Sequence, residues 1–137
     1  MKAEHELLSE AVERLVGRFR VKAVILFGSR ARGDWLPWSD YDLLIIGEFR
    51  GKYLDRVKEV LETLKDVPMN IEPHPYTLGE ALEMLRKGNP LLVDALEEGK
   101  PLYWTKEAQV LKELLSKMKE SGMRRSEATI ILPDTTT

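Results

Sequence analysis

Asp40 and Asp42 are the residues whose type and spacing point most directly to chemistry. They stand at the start of an apolar run, Tyr41–Ile46, whose composition predicts a buried strand that Gly47 ends. Side chains at positions i and i+2 of a strand point to the same face, roughly 7 Å apart along the backbone. Two such carboxylates can converge on hard cations, which prefer oxygen ligands. The alternative is a solvated strand start, but charges at the mouth of a buried strand are costly without a positive partner.

A second candidate feature is Gly28-Ser29, at the exit of the apolar run Val21–Phe27. Glycine allows the backbone to turn sharply and allows a phosphate to approach closely. A serine that opens a short helical turn offers its hydroxyl and nearby amides to an anion. An ordinary Gly-Ser turn is the alternative interpretation of the same two residues.

Glu72 is the third acidic candidate, in a predicted strand over Met69–Tyr76. On a neighbouring strand it would complete a cluster of three acids and accept a proton from an attacking hydroxyl. Taken alone, Glu72 is as well explained by an exposed surface position. His74 lies between two prolines, and we expect it to be a loop or rim residue rather than a ligand.

Combined, these pieces form a longer motif: Gly28-Ser29, ten intervening residues, then Asp40-x-Asp42, with each half attached to an apolar strand. This motif resembles the DNA polymerase β-like nucleotidyltransferase superfamily, and more narrowly the minimal nucleotidyltransferases of archaea and bacteria. The close resemblance covers Val21 to Leu44, and a looser one extends to Tyr76 and on to Trp104.

The resemblance implies a role for each matching residue. Gly28, Ser29 and the nearby backbone would hold the triphosphate of ATP or another nucleoside triphosphate. Asp40 and Asp42 would bind two Mg²⁺ ions, with Mn²⁺ as an alternative. Glu72 falls where the family has its third acid, usually an aspartate, and its side chain is one methylene longer. Arg30 and Arg32 could neutralise phosphate charge, or they could be solvated loop residues.

The resemblance also suggests an acceptor. Minimal nucleotidyltransferases are often paired with a small helical partner of the HEPN type, in toxin–antitoxin pairs whose antitoxin adenylylates the toxin. We therefore expect a metal-dependent adenylyltransferase that modifies a hydroxyl of such a partner. A module that binds nucleotide or partner without transfer, and a transferase acting on a small-molecule hydroxyl, are the alternatives. A homodimer is also compatible with the sequence.

The elements that must position these residues alternate between helix and strand, which indicates an α/β fold in a single domain. The resemblance implies a small mixed β-sheet with helices packed against it. We place the nucleotidyltransferase domain at residues 1–122 and a C-terminal tail at 123–137, which either contacts a partner or is disordered. Apolar spacing predicts three inward helical faces: Leu8, Val12, Leu15, Val16 and Phe19; Leu54, Val57, Leu61 and Leu64; Val110, Leu111, Leu114, Leu115 and Met118.

Composition limits the remaining functional classes. With 21 basic and 23 acidic residues the net charge is −2, which argues against non-specific nucleic-acid binding. Cysteine is absent, which excludes disulfides, thiolate zinc sites and cysteine nucleophiles. The chain has no apolar run of the roughly 18 residues that a membrane span needs, so we expect a cytoplasmic protein. Trp35 and Trp38 share a short loop, where we expect a local core rather than a stacking or partner surface.

Overall fold

The computed structural model describes residues 2–125 and 130–132. The helices are α1 (Glu4–Arg18), α2 (Ser29–Arg32), α3 (Tyr53–Thr63), α4 (Leu78–Arg86), α5 (Pro90–Glu98) and α6 (Gln109–Glu120), and a 3₁₀ turn, Lys106–Ala108, precedes α6. The strands are β1 (Val21–Phe27), β2 (Tyr41–Gly47), β3 (Ile71–Tyr76), β4 (Lys100–Trp104), β5 (Arg124–Arg125) and β6 (Ile130–Ile131).

The main sheet contains four strands in the order β3-β2-β1-β4. β1 runs antiparallel to both β2 and β4, whereas β2 and β3 are parallel. The sheet is therefore mixed, as predicted, and β5 and β6 form a separate antiparallel pair. The α/β class and the single small domain are confirmed.

Both faces of this sheet are buried, because successive residues of a strand point to opposite sides. On one face, Leu44 and Ile46 belong to a core shared with α4, α5 and α6. On the other face, Leu43 and Ile45 belong to a core shared with α1 and α3. This burial on both sides explains why β1 and β2 are continuous apolar runs rather than alternating ones.

β3 lies at one edge of the sheet, which is where strands that contain proline are normally found. The amide of Tyr41 on β2 donates to the carbonyl of Asn70 at 2.8 Å. By strand alternation, the even-numbered residues of β3 bond to β2 and the odd-numbered ones face the free edge. Pro73 and Pro75 therefore occupy positions where an N–H would have no partner within the sheet.

The predicted inward face of α3 is only partly correct, because Leu64 is buried and Val57 is half-buried but the two other leucines are not. Leu54 is 71% exposed and Leu61 is 45% exposed, whereas Arg56 and Val60 are buried. Arg56 tolerates burial because its guanidinium makes two bonds to the Glu80 carboxylate, at 2.6 and 3.2 Å, and a third to a backbone carbonyl. The pair with Glu80 of α4 thus allows a charged residue to share the inward side of α3 with Val60.

Two further inward predictions fail. Val16 on α1 and Val110 on α6 lie at the surface, and alanines Ala11 and Ala108 are buried instead. Two helix starts are fixed by local capping residues. Thr77 forms a capping box with Glu80 at α4, and the side chain of Asn89 caps α5.

The described part of the C-terminal tail packs against its own domain. Met123 is buried in the core beneath α4, α5 and α6, and Ile130 packs against the same core. Leu132 lies over Gly88 at the end of α4. Residues 126–129 and 133–137 lie outside the described part, so a partner contact by this tail stays a prediction. Within residues 2–125 and 130–132, no helix combines the length and the apolar character that a bilayer crossing requires.

Candidate metal and nucleotide site

The parallel pairing of β2 with β3 brings two of the predicted acids together. Asp42 is paired with Glu72, and on its other side Asp42 is paired with Phe27 at the end of β1. Both acids stand near the beginning of their strands, on the same side of the sheet. The sequence suggested Glu72 as a third acid on a neighbouring strand, and the parallel register brings it beside Asp42.

Gly28 joins β1 to this pair of acids. Its φ is +77°, and a Cβ atom built on it would lie 2.5 Å from Oδ2 of Asp42. An L side chain is strained in that conformation, and the space is already filled by the Asp42 carboxylate. Only glycine permits the backbone that leaves β1 to run against the acid, with Ser29 following as the first residue of α2.

His74 joins the cluster, and the expectation of a loop position is wrong because the residue lies within β3. Its Nε2 lies 3.3 Å from Oδ1 of Asp42. Ligand atoms of Asp42, Glu72 and His74 all lie within 4.8 Å of one another. The signal that could have indicated this position is the i, i+2 spacing of Glu72 and His74, which places both side chains on one face of β3.

The electrostatics of the cluster favour a cation. Desolvation of the carboxyl and the hydrogen bond and negative charge of Asp42 raise the pKa of Glu72. The charge of His74 lowers this pKa and that of Asp40 raises it, and both effects are smaller. Two carboxylates held this closely repel each other unless a positive charge lies between them. Their oxygens and the imidazole nitrogen form a donor set that fits a divalent cation.

Asp40 is exposed and lies outside the group of three. It lines, together with Glu72 and His74, an open groove of about 410 Å³. The opposite wall of this groove is apolar and includes Leu54 and Leu61 of α3. We call it the α3–β3 groove. It places the exposed leucines of α3 beside the acids.

Arg30 and Arg32 lie on α2, between β1 and β2. Arg30 bonds to the loop that follows α2, and Arg32 pairs with neighbouring acids. The guanidinium of Arg30 donates to the carbonyls of Ser39 and Pro37 and lies 4.4 Å from the centroids of both the Trp35 and Tyr41 rings. Arg32 pairs with Asp34 at 3.4 Å and approaches Glu98 at 4.0 Å. Their predicted contacts with phosphate stay predictions.

The predicted local core of this loop is wrong. Trp38 is 74% exposed, and Trp35 and Leu36 are each about half exposed. Trp35 is held by its contact with Arg30 rather than by burial. The loop therefore presents apolar surface to solvent close to the Gly28-Ser29 turn.

A mixed four-stranded sheet that carries a glycine-serine turn beside paired acids defines a nucleotidyl-transfer type of domain. Residues 6–103, most of the chain, match the family model of the nucleotidyltransferase domain. The chain therefore belongs to the nucleotidyltransferase domain family, which confirms the resemblance seen in the motif.

A stretch of 53 residues is 42% identical to the "Putative protein adenylyltransferase MJ0604" of Methanocaldococcus jannaschii. The match covers 37% of this chain and 53% of that relative, so the chain spans about half the length of the curated protein it matches.

Two solved structures share the fold. A chain from a mutant of the toxin–antitoxin pair MntA-HepT superposes with a TM-score of 0.55 at 18% identity, covering 80% of each chain. A chain from the Shewanella oneidensis complex of a tri-AMPylated HEPN toxin with an MNT antitoxin gives a TM-score of 0.50 at 14% identity, covering 85% of this chain and 87% of that one.

Proposed function

We propose that this protein is a divalent-metal-dependent adenylyltransferase that moves AMP from ATP to a hydroxyl group of a HEPN-type partner protein, as an antitoxin does. The observation that carries the proposal is the pairing of Asp42 with Glu72, directly beside the Gly28 backbone. Membership of the nucleotidyltransferase family supports the reaction type. The adenylyltransferase name of one relative and the AMPylated toxin bound to another support the choice of AMP and of a protein acceptor.

Each residue of the site has a task in this reaction. Ser29 and the backbone at Gly28 bind the triphosphate, and Asp40, Asp42 and Glu72 hold the cations. Two Mg²⁺ or Mn²⁺ ions, when bound, would neutralise phosphate charge and stabilise the attacking and leaving oxygens. The protein contributes positioning and electrostatics rather than a covalent nucleophile.

The transfer step is an in-line displacement. The acceptor oxygen forms a bond to the α-phosphorus while the bond from that phosphorus to the pyrophosphate oxygen breaks. Pyrophosphate leaves with the electron pair, and the hydroxyl proton passes to the Glu72 carboxylate. General-base assistance of this kind is worth about 10²–10⁴-fold in rate.

The α3–β3 groove is where the acceptor would enter. It shares Asp40 and Glu72 with the site, and its other wall exposes Leu54 and Leu61. Large exposed leucines beside a reactive centre are typical of a surface that another protein covers. We assign the groove to the segment of the partner that carries the acceptor hydroxyl.

The test is to co-express the chain with the small protein encoded beside it, add ATP and Mg²⁺, and measure both intact masses. We expect one or more AMP units on the partner. Glu72→Gln should retain most ATP affinity and lose about 10²–10⁴-fold in transfer rate. Glu120→Gln, at the exposed end of α6, is the matched control and should transfer at the parental rate.

Two results would contradict the proposal. One is ATP affinity that is equal with Mg²⁺ and with a chelator, because the acids would then not act through cations. The other is AMP found only on small molecules while the partner stays unmodified.

A further inference from the structure

His74 occupies a position that the nucleotidyl-transfer reaction does not by itself require. It lies two residues beyond Glu72 on β3, opposite Leu44, and its side chain shares a face of the sheet with Asp42 and Glu72. Its Nε2 is 3.3 Å from Oδ1 of Asp42. The cluster of three therefore contains a nitrogen donor as well as carboxylate oxygens.

The ring of His74 is held in place by the core. It meets Phe27 in an edge-to-face arrangement, with ring centroids 5.1 Å apart and an interplanar angle of 60°. Its side chain is only 16% exposed. Because Phe27 closes β1 opposite Asp42, the same strand end that positions the acid also fixes the imidazole.

The distances suit a shared cation. Ligands at about 2.1 Å from an octahedral metal are about 3 Å apart when adjacent and about 4.2 Å apart when opposite. The 3.3 Å between Nε2 and Oδ1 is close to the first value, and it exceeds the usual 2.7–2.9 Å of a charge-assisted hydrogen bond. All three ligand atoms lie within 4.8 Å of one another. Small side-chain adjustments would bring them to the adjacent or opposite separations of an octahedral site.

We propose that His74 is a direct ligand of one cation in this site, and that the site therefore prefers first-row transition cations such as Mn²⁺ over Mg²⁺. Mg²⁺ selects oxygen ligands and retains water. Imidazole suits transition metals, whose affinity for nitrogen-containing sites rises from Mn²⁺ towards Cu²⁺. This inference rests on the proposed function for the existence of the metal site, and it adds a ligand and a metal preference.

The test uses Mn²⁺ alone and the full-length protein without nucleotide. Electron spin-echo modulation of bound Mn²⁺ reports a coordinated ¹⁴N nucleus. The chain contains two histidines, and His5 is exposed on α1, so the signal can be assigned. We expect ¹⁴N modulation in the parent and in the matched control His5→Ala, and none in His74→Gln.

Affinities provide the second measurement. Even the loss of an outer-shell partner typically costs 10–100-fold in metal affinity. We therefore expect His74→Gln to weaken Mn²⁺ binding at least about tenfold and Mg²⁺ binding, measured by competition, much less. His74→Asp replaces the nitrogen by oxygen, and it should bind both cations with the Mn²⁺ preference lowered by a similar factor.

Parental Mn²⁺ binding without ¹⁴N modulation would overturn the inference, and so would an equal loss of Mn²⁺ and Mg²⁺ affinity in His74→Gln. Either result would make the histidine a hydrogen-bond partner of Asp42 only. AMP transfer without nitrogen coordination would refute this inference and leave the proposed function intact. Nitrogen-coordinated Mn²⁺ in a protein that transfers nothing would refute the proposed function and leave the inference intact.

Discussion

Gly28→Ala tests the contact between the strand exit and the Asp42 carboxylate. The added Cβ would lie 2.5 Å from Oδ2 of Asp42, so the carboxylate must move by about 0.9 Å to restore an ordinary contact of 3.4 Å. Misplacement of a catalytic group by about 1 Å can cost about 10²-fold in rate. We expect a loss of that size in AMP transfer and a rise of about 10–100-fold in the Mn²⁺ dissociation constant.

The same substitution also strains the backbone, because φ at Gly28 is +77°. With ψ at −160° the residue lies in a region that essentially only glycine occupies, and alanine there costs about 1–3 kcal/mol, which corresponds to about 3–12 °C in Tm for a domain of this size. Gly33→Ala is the matched control: its φ is +90°, and no atom lies within 4 Å of the added Cβ. Gly33 lies in the left-handed helical region, with ψ at 3°, where alanine costs about 1–2 kcal/mol, so both variants should lose thermal stability and Gly28→Ala at least as much as Gly33→Ala.

Only Gly28→Ala should lose metal affinity and transfer. The assay is calorimetric Mn²⁺ titration together with thermal unfolding of both variants. If Gly28→Ala stayed folded and bound Mn²⁺ as tightly as Gly33→Ala, Asp42 would not be a ligand whose position depends on Gly28.

Two further predictions concern surfaces described above. Hydrogen bonds from Arg56 lower the pKa of Glu80, so their stabilising effect is present above the unfolded pKa of about 4.3 and is lost as the pH falls through the lower folded value. Glu80→Gln should lower the free energy of unfolding in urea by about 1 kcal/mol at pH 7, because the Glu80 side chain is 44% exposed, and by much less at pH 3. An equal loss at both pH values would contradict this. Leu54→Asp should change the free energy of unfolding by less than about 0.5 kcal/mol but lower kcat/KM for the partner at least about tenfold. The control Val110→Asp on α6 should change neither quantity. An unchanged kcat/KM in Leu54→Asp would show that the α3–β3 groove does not bind the acceptor.

The sequence predicts those parts of the fold that depend on residues close together in the chain. β1 and β2 are buried on both faces and bounded by glycines, so their apolar runs coincide with the strands. The side of α3 that faces the core could not be predicted. Leu54 and Leu61 follow a helical period yet are exposed. Arg56 is buried with Val60 because it pairs with Glu80, which lies 24 residues further along the chain on another helix.

The candidate site shows the same division. The family resemblance suggested Glu72 as the third acid, but its pairing with Asp42 depends on the register between β2 and β3. The contact between His74 and Asp42 depends on the parallel register that sets His74 opposite Leu44. Periodicity within one strand contains no information about register with the next strand, so the i, i+2 spacing could place His74 on the same face as Glu72 but not beside Asp42.

The prolines of β3 also affect how this chain can associate. A free sheet edge normally invites strand addition by another chain, in assembly or in aggregation. Here the outward positions of β3 include Pro73 and Pro75, which are buried and have no amide hydrogen, so this edge is covered and only Ile71 among its outward residues offers an N–H. An incoming strand would find too few donors to extend the ladder. A partner that approaches the acids from this side must therefore be recognised through side chains, and the four-stranded sheet should remain unextended at β3 in any complex.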